Sequence, residues 1–303
     1  MTPIIANLLL VLAAGWLFRK YGIVREGAEK AFNQYLYYLA LPVLTVVKIA
    51  DTPLSGLGWQ FIAGNTLPLL AVMLAAVVLW KAGAVDWRFA RLLVIVPALG
   101  NTAYLGFPVV GMRLGEDAIG YAAIAASLQS IVIFTVGILL ITLIRGEGSP
   151  PARFLKTIGS NVVLWASLAG LLLSASGLRL PGLLHQVLSD IGRTTLPLAL
   201  FTIGVSLYGK SAAQNLPRIA LVSGLKLLLM PAAFLGLAAF SGDGGVPMRV
   251  SFLQICMPVA VMNYILAKEY DFDADLISQS ILLSTAAFFP LLYLYDWALK
   301  AFL

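Results

Sequence analysis

The chain has 303 residues, of which 60% are apolar and 11% charged, and a formal net charge of +6. Soluble domains carry about 45–50% apolar and about 25% charged residues, so this composition excludes an ordinary soluble globule. The basic residues sit in short segments between apolar runs, which argues against nucleic acid as a partner; the single cysteine, Cys256, excludes an internal disulfide or a multi-thiolate metal site.

Ten apolar runs follow one another: Thr2–Phe18, Ala31–Ile49, Trp59–Trp80, Phe89–Leu114, Ala118–Ile144, Ile158–Leu178, Ile191–Tyr208, Leu216–Phe240, Val250–Ala267 and Leu276–Phe302. Each is about 17–27 residues long, the length that crosses a ~30 Å hydrocarbon core at 1.5 Å per residue. The pattern predicts an all-α membrane protein with ten transmembrane helices in the lipid bilayer. Nothing basic precedes the first run, and Arg19–Lys20 follows it directly, so a helix is expected there rather than a cleaved signal peptide. Alternating the sides of the membrane puts thirteen of the twenty Lys and Arg with Arg19, Lys81, Arg88 and Lys210, six on the other side, and Lys226 inside the eighth run. By the positive-inside rule the first side is cytoplasmic, which makes the protein N-out/C-out and multi-pass in the cell inner (plasma) membrane. The longest polar stretch, Arg145–Thr157, is too short for a soluble domain, so residues 1–303 are expected to form a single membrane domain.

A weak internal match recurs at an offset of 155. Gly15 pairs with Gly170, Gly22 with Gly177, and Leu41–Pro42 with Leu196–Pro197; Asn7 and Asn161 match one register away, and Asp117–Ala118 matches Asp273–Ala274 with one residue inserted. The halves are about 1–148 and 153–303, with five runs each. An odd number makes the second copy enter the membrane upside down, which predicts two inverted five-helix repeats.

The fourth and ninth runs carry helix breakers at equivalent positions of the repeats. Pro97–Pro108 reads PALGNTAYLGFP, with Gly100, Asn101 and Pro108, and Cys256–Tyr264 reads CMPVAVMNY, with Pro258 and Asn263. Proline removes a backbone donor and clashes with the preceding turn, while glycine lowers the cost of unusual dihedrals. The register sets Pro258 opposite Thr102. Broken backbone in a bilayer must face protein or water, because each unsatisfied polar group costs several kcal/mol. Half-helices resuming near Thr102 and Val259 would aim their amide ends at the crossing from opposite sides, an arrangement that favours an anion.

At these residues the chain resembles the auxin efflux carrier family, which includes plant PIN auxin exporters and bacterial permeases proposed for malate or malonate. This PIN-like likeness places it in the bile/arsenite/riboflavin transporter-type superfamily. The carriers' LPNT…MGIPLL pattern is approximated by LGNTAYLGFPVV at Leu99–Val110, and their FAKEY element by LAKEY at Leu266–Tyr270, with Met257–Pro258 upstream. Gly100 stands where the plant carriers have proline, and their long central loop is missing. The resemblance implies ten helices in a scaffold-and-transport arrangement like that of NhaA and the bile-acid symporters. It further implies broken crossing helices 4 and 9, elevator-type movement, a carboxylate held by an asparagine beside the crossover, and a homodimer.

Asn101 is the leading candidate to bind substrate, since its amide can donate to a carboxylate; Thr102, Tyr104, Met257, Pro258 and Asn263 accompany it by position. Gly100, Pro108 and Pro258 are the helix-breaking residues. Tyr104 and Phe107 fit either an aromatic wall or ordinary packing. Lys226 lies near mid-membrane, where a charge costs at least ~2.5–3.5 kcal/mol, and fits either attraction of the anion or a tie to helix-end carbonyls. Gln129, with Ser127 and Ser130, makes a polar patch where ion coupling is placed in comparable folds. The inner parts of the runs are expected to lack a carboxylate, and His185, the one histidine, to lie in a loop, which leaves no protease pair or metal-hydrolase motif. The expected function is therefore a carrier of small organic anions, auxin-like or dicarboxylate, with no cofactor and no enzymatic activity. A sodium-coupled symporter of the bile-acid type is the alternative, ahead of a channel or sensor.

Overall fold

The computed structural model describes residues 2–54, 57–145, 159, 161–209, 215–242 and 244–303. The polar stretch from residue 146 to 158, Ile158 at the predicted start of the sixth run, and Lys210 lie outside these residues. The ten runs are largely helical in their described parts; the fourth and ninth carry wide gaps, and in the seventh a turn at Thr194 separates the helices Gly182–Arg193 and Thr195–Leu207. Among the described residues four helices are long and apolar enough to cross a membrane: Trp59–Lys81, Glu116–Ile144, Leu216–Phe240 and Ala274–Phe302. The first run is the helix Thr2–Lys20, the sixth Val162–Ser176 and the seventh Thr195–Leu207.

Several of these helices carry one wide turn. A π turn occupies Leu36–Ala40, Thr102–Gly106, Ile133–Gly137 and Leu225–Leu229. Pro42, Pro108 and Pro231 each stand two residues beyond the end of such a turn. Proline offers no N–H to the carbonyl four residues back and its ring crowds that carbonyl, so the preceding backbone opens into the wider turn instead of stopping.

Two sequence expectations are corrected here. His185 does not lie in a loop: it is on a helix, Gly182–Arg193, whose Leu183, Leu184, Val187 and Ile191 recur at helical spacing but over too short a length to read as a span. Its Nε2 stands 2.9 Å from Asp51 Oδ2. The last run also contains a buried carboxylate, Asp296, whose charge is met one turn on by Lys300 at 2.8 Å.

The chain forms two compact units. The first comprises Met1–Gly56, Ala103–Ser127 and Asn161–Gly209. Its helices approach closely through glycine: a Cβ on Gly15 would collide with the Phe201 carbonyl oxygen, and one on Gly204 with the Leu12 carbonyl oxygen. A Cβ on Gly170 would likewise stand 2.8 Å from Ile49 Cβ and 3.1 Å from the Val46 carbonyl oxygen. Small residues permit such backbone contact between helices.

The second unit comprises Leu57–Thr102, Leu128–Ser160 and Lys210–Leu303. Its core holds Phe234, Phe252, Phe288 and Tyr295, with ring centroids 5.5 Å apart for Phe234–Phe252 and 6.2 Å for Phe252–Tyr295. Both interrupted segments meet inside this unit.

Candidate functional site

Ahead of the fourth run, the Asp86 carboxylate accepts from the Phe89 N–H at 2.9 Å and caps the helix Trp87–Ile95. Val96–Asn101 then leave the helix, and a π turn from Thr102 leads into Phe107–Leu114. In the ninth run Val246–Ile255 ends at Cys256, and helix resumes at Asn263. The two gaps cross and complete each other. Gly100 and Val259 form an antiparallel bridge, the Asn101 N–H donates to the Pro258 carbonyl at 2.8 Å, and the Ala260 N–H donates to the Leu99 carbonyl at 3.0 Å. Val259 N–H goes to Ser284 Oγ at 3.1 Å. Backbone that the prolines freed is thus satisfied by the opposite strand, which is what a buried break requires.

This pairing sets Pro258 facing Asn101 across the crossing. It also moves the second half-helix of the ninth run four residues on, from Val259 to Asn263, because the amides of Val259 and Ala260 are already committed. Pro108 lies beyond the gap, in the first turn of Phe107–Leu114, where it widens the preceding turn instead of breaking the helix. Gly100 and Pro258 lie in the gaps themselves.

Asn263 is fully buried, and its Nδ2 reaches the carbonyls of Val96 at 3.3 Å, Leu99 at 3.1 Å and Ala260 at 3.2 Å. One side chain thereby ties the end of the first half-helix to the opposite gap. Asn101 differs. It is 5% exposed, and its Nδ2 has no hydrogen-bond partner among the described residues.

Lys226 belongs to the same unit. It is the second residue of the π turn ahead of Pro231, fully buried, and its Nζ lies 3.6 Å from Met230 Sδ. A Cβ built on Gly100 would stand 2.6 Å from that Nζ and 3.0 Å from Lys226 Cε. The glycine is what leaves room for the ammonium.

The structure therefore gathers Gly100, Asn101, Met257, Pro258, Asn263 and Lys226 around the crossing. Thr102 follows directly, its N–H bonded to the Gly100 carbonyl at 2.8 Å. Tyr104 packs within the first unit against Leu36, Ala40 and Ala199, and Phe107 is fully buried. The polar patch is divided. Ser127 bonds Ser167 in the first unit, whereas Gln129 in the second donates to Asn65 Oδ1 at 3.0 Å, and Asn65 donates to Ser251 Oγ at 2.7 Å. Sequence reasoning missed Asn65, Ser251 and Ser284, each a common polar residue without a motif around it.

Two buried donors short of acceptors, one an ammonium, suit a ligand that brings anionic oxygens. A family model described as membrane transport protein matches residues 1–163 and 154–295. The chain is 25% identical to an uncharacterized transporter of Methanothermobacter thermautotrophicus, over 94% of this chain and 93% of that one. It is 24% identical to a protein named for malonate transport in Rhizobium meliloti, over 84% and 81%. It is also 21% identical to auxin efflux carrier component 5 of Arabidopsis thaliana, over 89% and 88%.

Proposed function

The chain belongs to the membrane transport protein family, that of the auxin efflux carriers, and from that premise we propose that it is a secondary carrier of small organic anions whose substrate carboxylate binds at the crossing of the fourth and ninth runs. It is a multi-pass membrane protein and a transporter, not an enzyme. One observation carries the proposal: two mutually hydrogen-bonded backbone gaps hold a buried Asn101 amide whose donors find no acceptor among the described residues. A carboxylate oxygen would complete it.

The ten-helix inverted plan is part of the same reading. Its support is a pair of contacts: the approach of Gly15 to the Phe201 carbonyl maps, under the offset of 155, onto the approach of Gly170 to the Val46 carbonyl, with the two partners exchanged between halves. Exchange of this kind is what a pseudo-two-fold relation between repeats produces. Each compact unit also takes segments from both halves, which suits elevator-type alternating access, in which the crossing travels with its own unit. The family likeness further carries the expectation of a homodimer, tested by light scattering on the purified protein.

The test is uptake into liposomes of labelled malonate, malate and indole acetate at clamped potential, with and without sodium or a pH gradient, beside Asn101→Ala. Saturable, voltage-responsive uptake that needs no ion gradient and is lost in the variant is the expected result. Strict sodium dependence would establish the symporter instead. Unaltered uptake by Asn101→Ala would remove the crossing as the site.

A further inference from the structure

Lys226 and Gly100 are 126 positions apart in sequence and share one volume in the structure. Resting on the carrier reading above, we propose that Lys226 is the second anchor of the substrate, so that the site selects short dicarboxylates carrying two negative charges over monocarboxylates. One carboxylate is held by the Asn101 amide and the other by the Lys226 ammonium.

The argument begins with what Lys226 lacks. Eleven residues into the helix Leu216–Phe240, it is fully buried at a depth where an isolated charge is costly. Its ammonium has three N–H donors, and the one hydrogen-bond partner recorded for it among the described residues is the Met230 thioether at 3.6 Å, a weak acceptor. No acidic side chain forms an ion pair with it among the described residues. A purely structural lysine would be expected to spend its donors on carbonyls, as Asn263 does nearby. Lys226 does not.

The second point is where it ends. Its Nζ stands 2.6 Å from the Cβ position of Gly100, the neighbour in chain of Asn101, whose own Nδ2 is also buried without an acceptor. Successive Cα atoms are 3.80 Å apart, so the unmatched amide and the unmatched ammonium flank one short stretch of backbone. The amide has no acceptor among the described residues and the ammonium has only a thioether, so each is short of a strong acceptor. A dicarboxylate can give one anionic group to each of them, whereas a monocarboxylate brings a single charge to be divided between the two. Any side chain at Gly100 would push the ammonium away, which makes this glycine a condition of the second anchor.

The experiment compares malonate with propionate as substrates of the full-length protein in liposomes, for wild type, Lys226→Met and Gly100→Ala. The wild type is expected to favour malonate in kcat/KM. In both variants the malonate-to-propionate ratio falls by about ten- to a hundredfold, the range that one charge-assisted hydrogen bond supplies. Gly100→Ala retains the charge and only displaces it, so a lost ratio there cannot come from removing the lysine. A ratio unchanged in either variant, or both substrates reduced equally in folded protein, overturns the proposal. Should Lys226→Met not fold, the Gly100→Ala ratio and the thermal stabilisation of wild type by malonate over propionate decide it. Absence of all carboxylate uptake by wild type defeats the carrier reading itself, and the second anchor with it. Uptake of propionate equal to malonate defeats the second anchor alone.

Discussion

Tyr295 Oη donates to the main-chain carbonyl of Leu227 at 2.7 Å, and Leu227 stands four residues before Pro231, which has no N–H to give that carbonyl. The hydroxyl supplies a donor that the helix has lost. Tyr295→Phe is expected to lower stability by about 1–3 kcal/mol, the cost of leaving a buried acceptor short. In a Pro231→Ala background, where the backbone regains its donor, the same substitution should cost less than half as much. Thermal unfolding of the four proteins in detergent measures this, and equal penalties in the two backgrounds would refute the compensation.

Asn263→Leu keeps the branched shape of the side chain and removes its donors from the carbonyls of Val96, Leu99 and Ala260. A destabilisation of about 1–3 kcal/mol is expected, together with loss of uptake, since the two gaps are no longer tied. Asn263→Asp should be worse, because an ionised carboxylate offers those carbonyls only acceptors. Urea unfolding and uptake on the same preparations report both effects.

Two glycines separate close approach from mere presence. A Cβ on Gly204 meets the Leu12 main chain, which has no rotamer to yield, so Gly204→Ala is expected to abolish monodisperse protein in size-exclusion chromatography. Gly236 lies within the helix Met230–Ser241 with nothing within 4 Å of a Cβ. Gly236→Ala should raise stability by about 0.4–1 kcal/mol by restricting the unfolded chain.

The cap at Asp86 gives a pH signature. The Phe89 N–H holds its carboxyl below the ordinary carboxylate range, and Arg218, whose Nη2 lies 2.9 Å from Asp86 Oδ2, adds to the effect. A folded-state value below the unfolded ~3.9 means that the stabilisation is complete above that pH and fades as pH falls through the lower, folded value. Asp86→Ala should cost about 0.5–2 kcal/mol at neutral pH. Asp86→Asn keeps the cap and loses only the exposed ion pair, about 0.2–1 kcal/mol. Its deficit against wild type should shrink once the pH falls below ~4, read as the difference in melting temperature across a pH series.

The helical runs and their two interruptions were legible because bilayer length and the Pro97, Gly100 and Pro258 signals are local in sequence. What followed the gaps was not legible. Whether helix resumes at Val259 or Asn263 depends on Ser284 and Leu99, which take the intervening amides from distant segments. Lys226 was visible as a costly charge, but its meeting with Gly100 rests on packing between helices, for which the sequence carries no periodic signal. Gln129 and Ser127 read as one patch because they are two residues apart, and a division between compact units falls between them. His185 was misplaced because its helix is short and amphipathic, below the length at which a span is recognised.

The glycine contact between the helices Thr2–Lys20 and Thr195–Leu207 also sets a clock. Gly15 and Phe201 are 186 residues apart, and translation at ~5–20 residues per second takes roughly 10–40 s to bring the second to the first. For that interval the helix Thr2–Lys20 is without the partner that its glycine face packs against. The first unit cannot close until the second half has begun to arrive, so the N-terminal half is a waiting partner and not an independent folding unit. Two separately expressed halves should accordingly assemble only when both are present, with the membrane holding each in place until they meet.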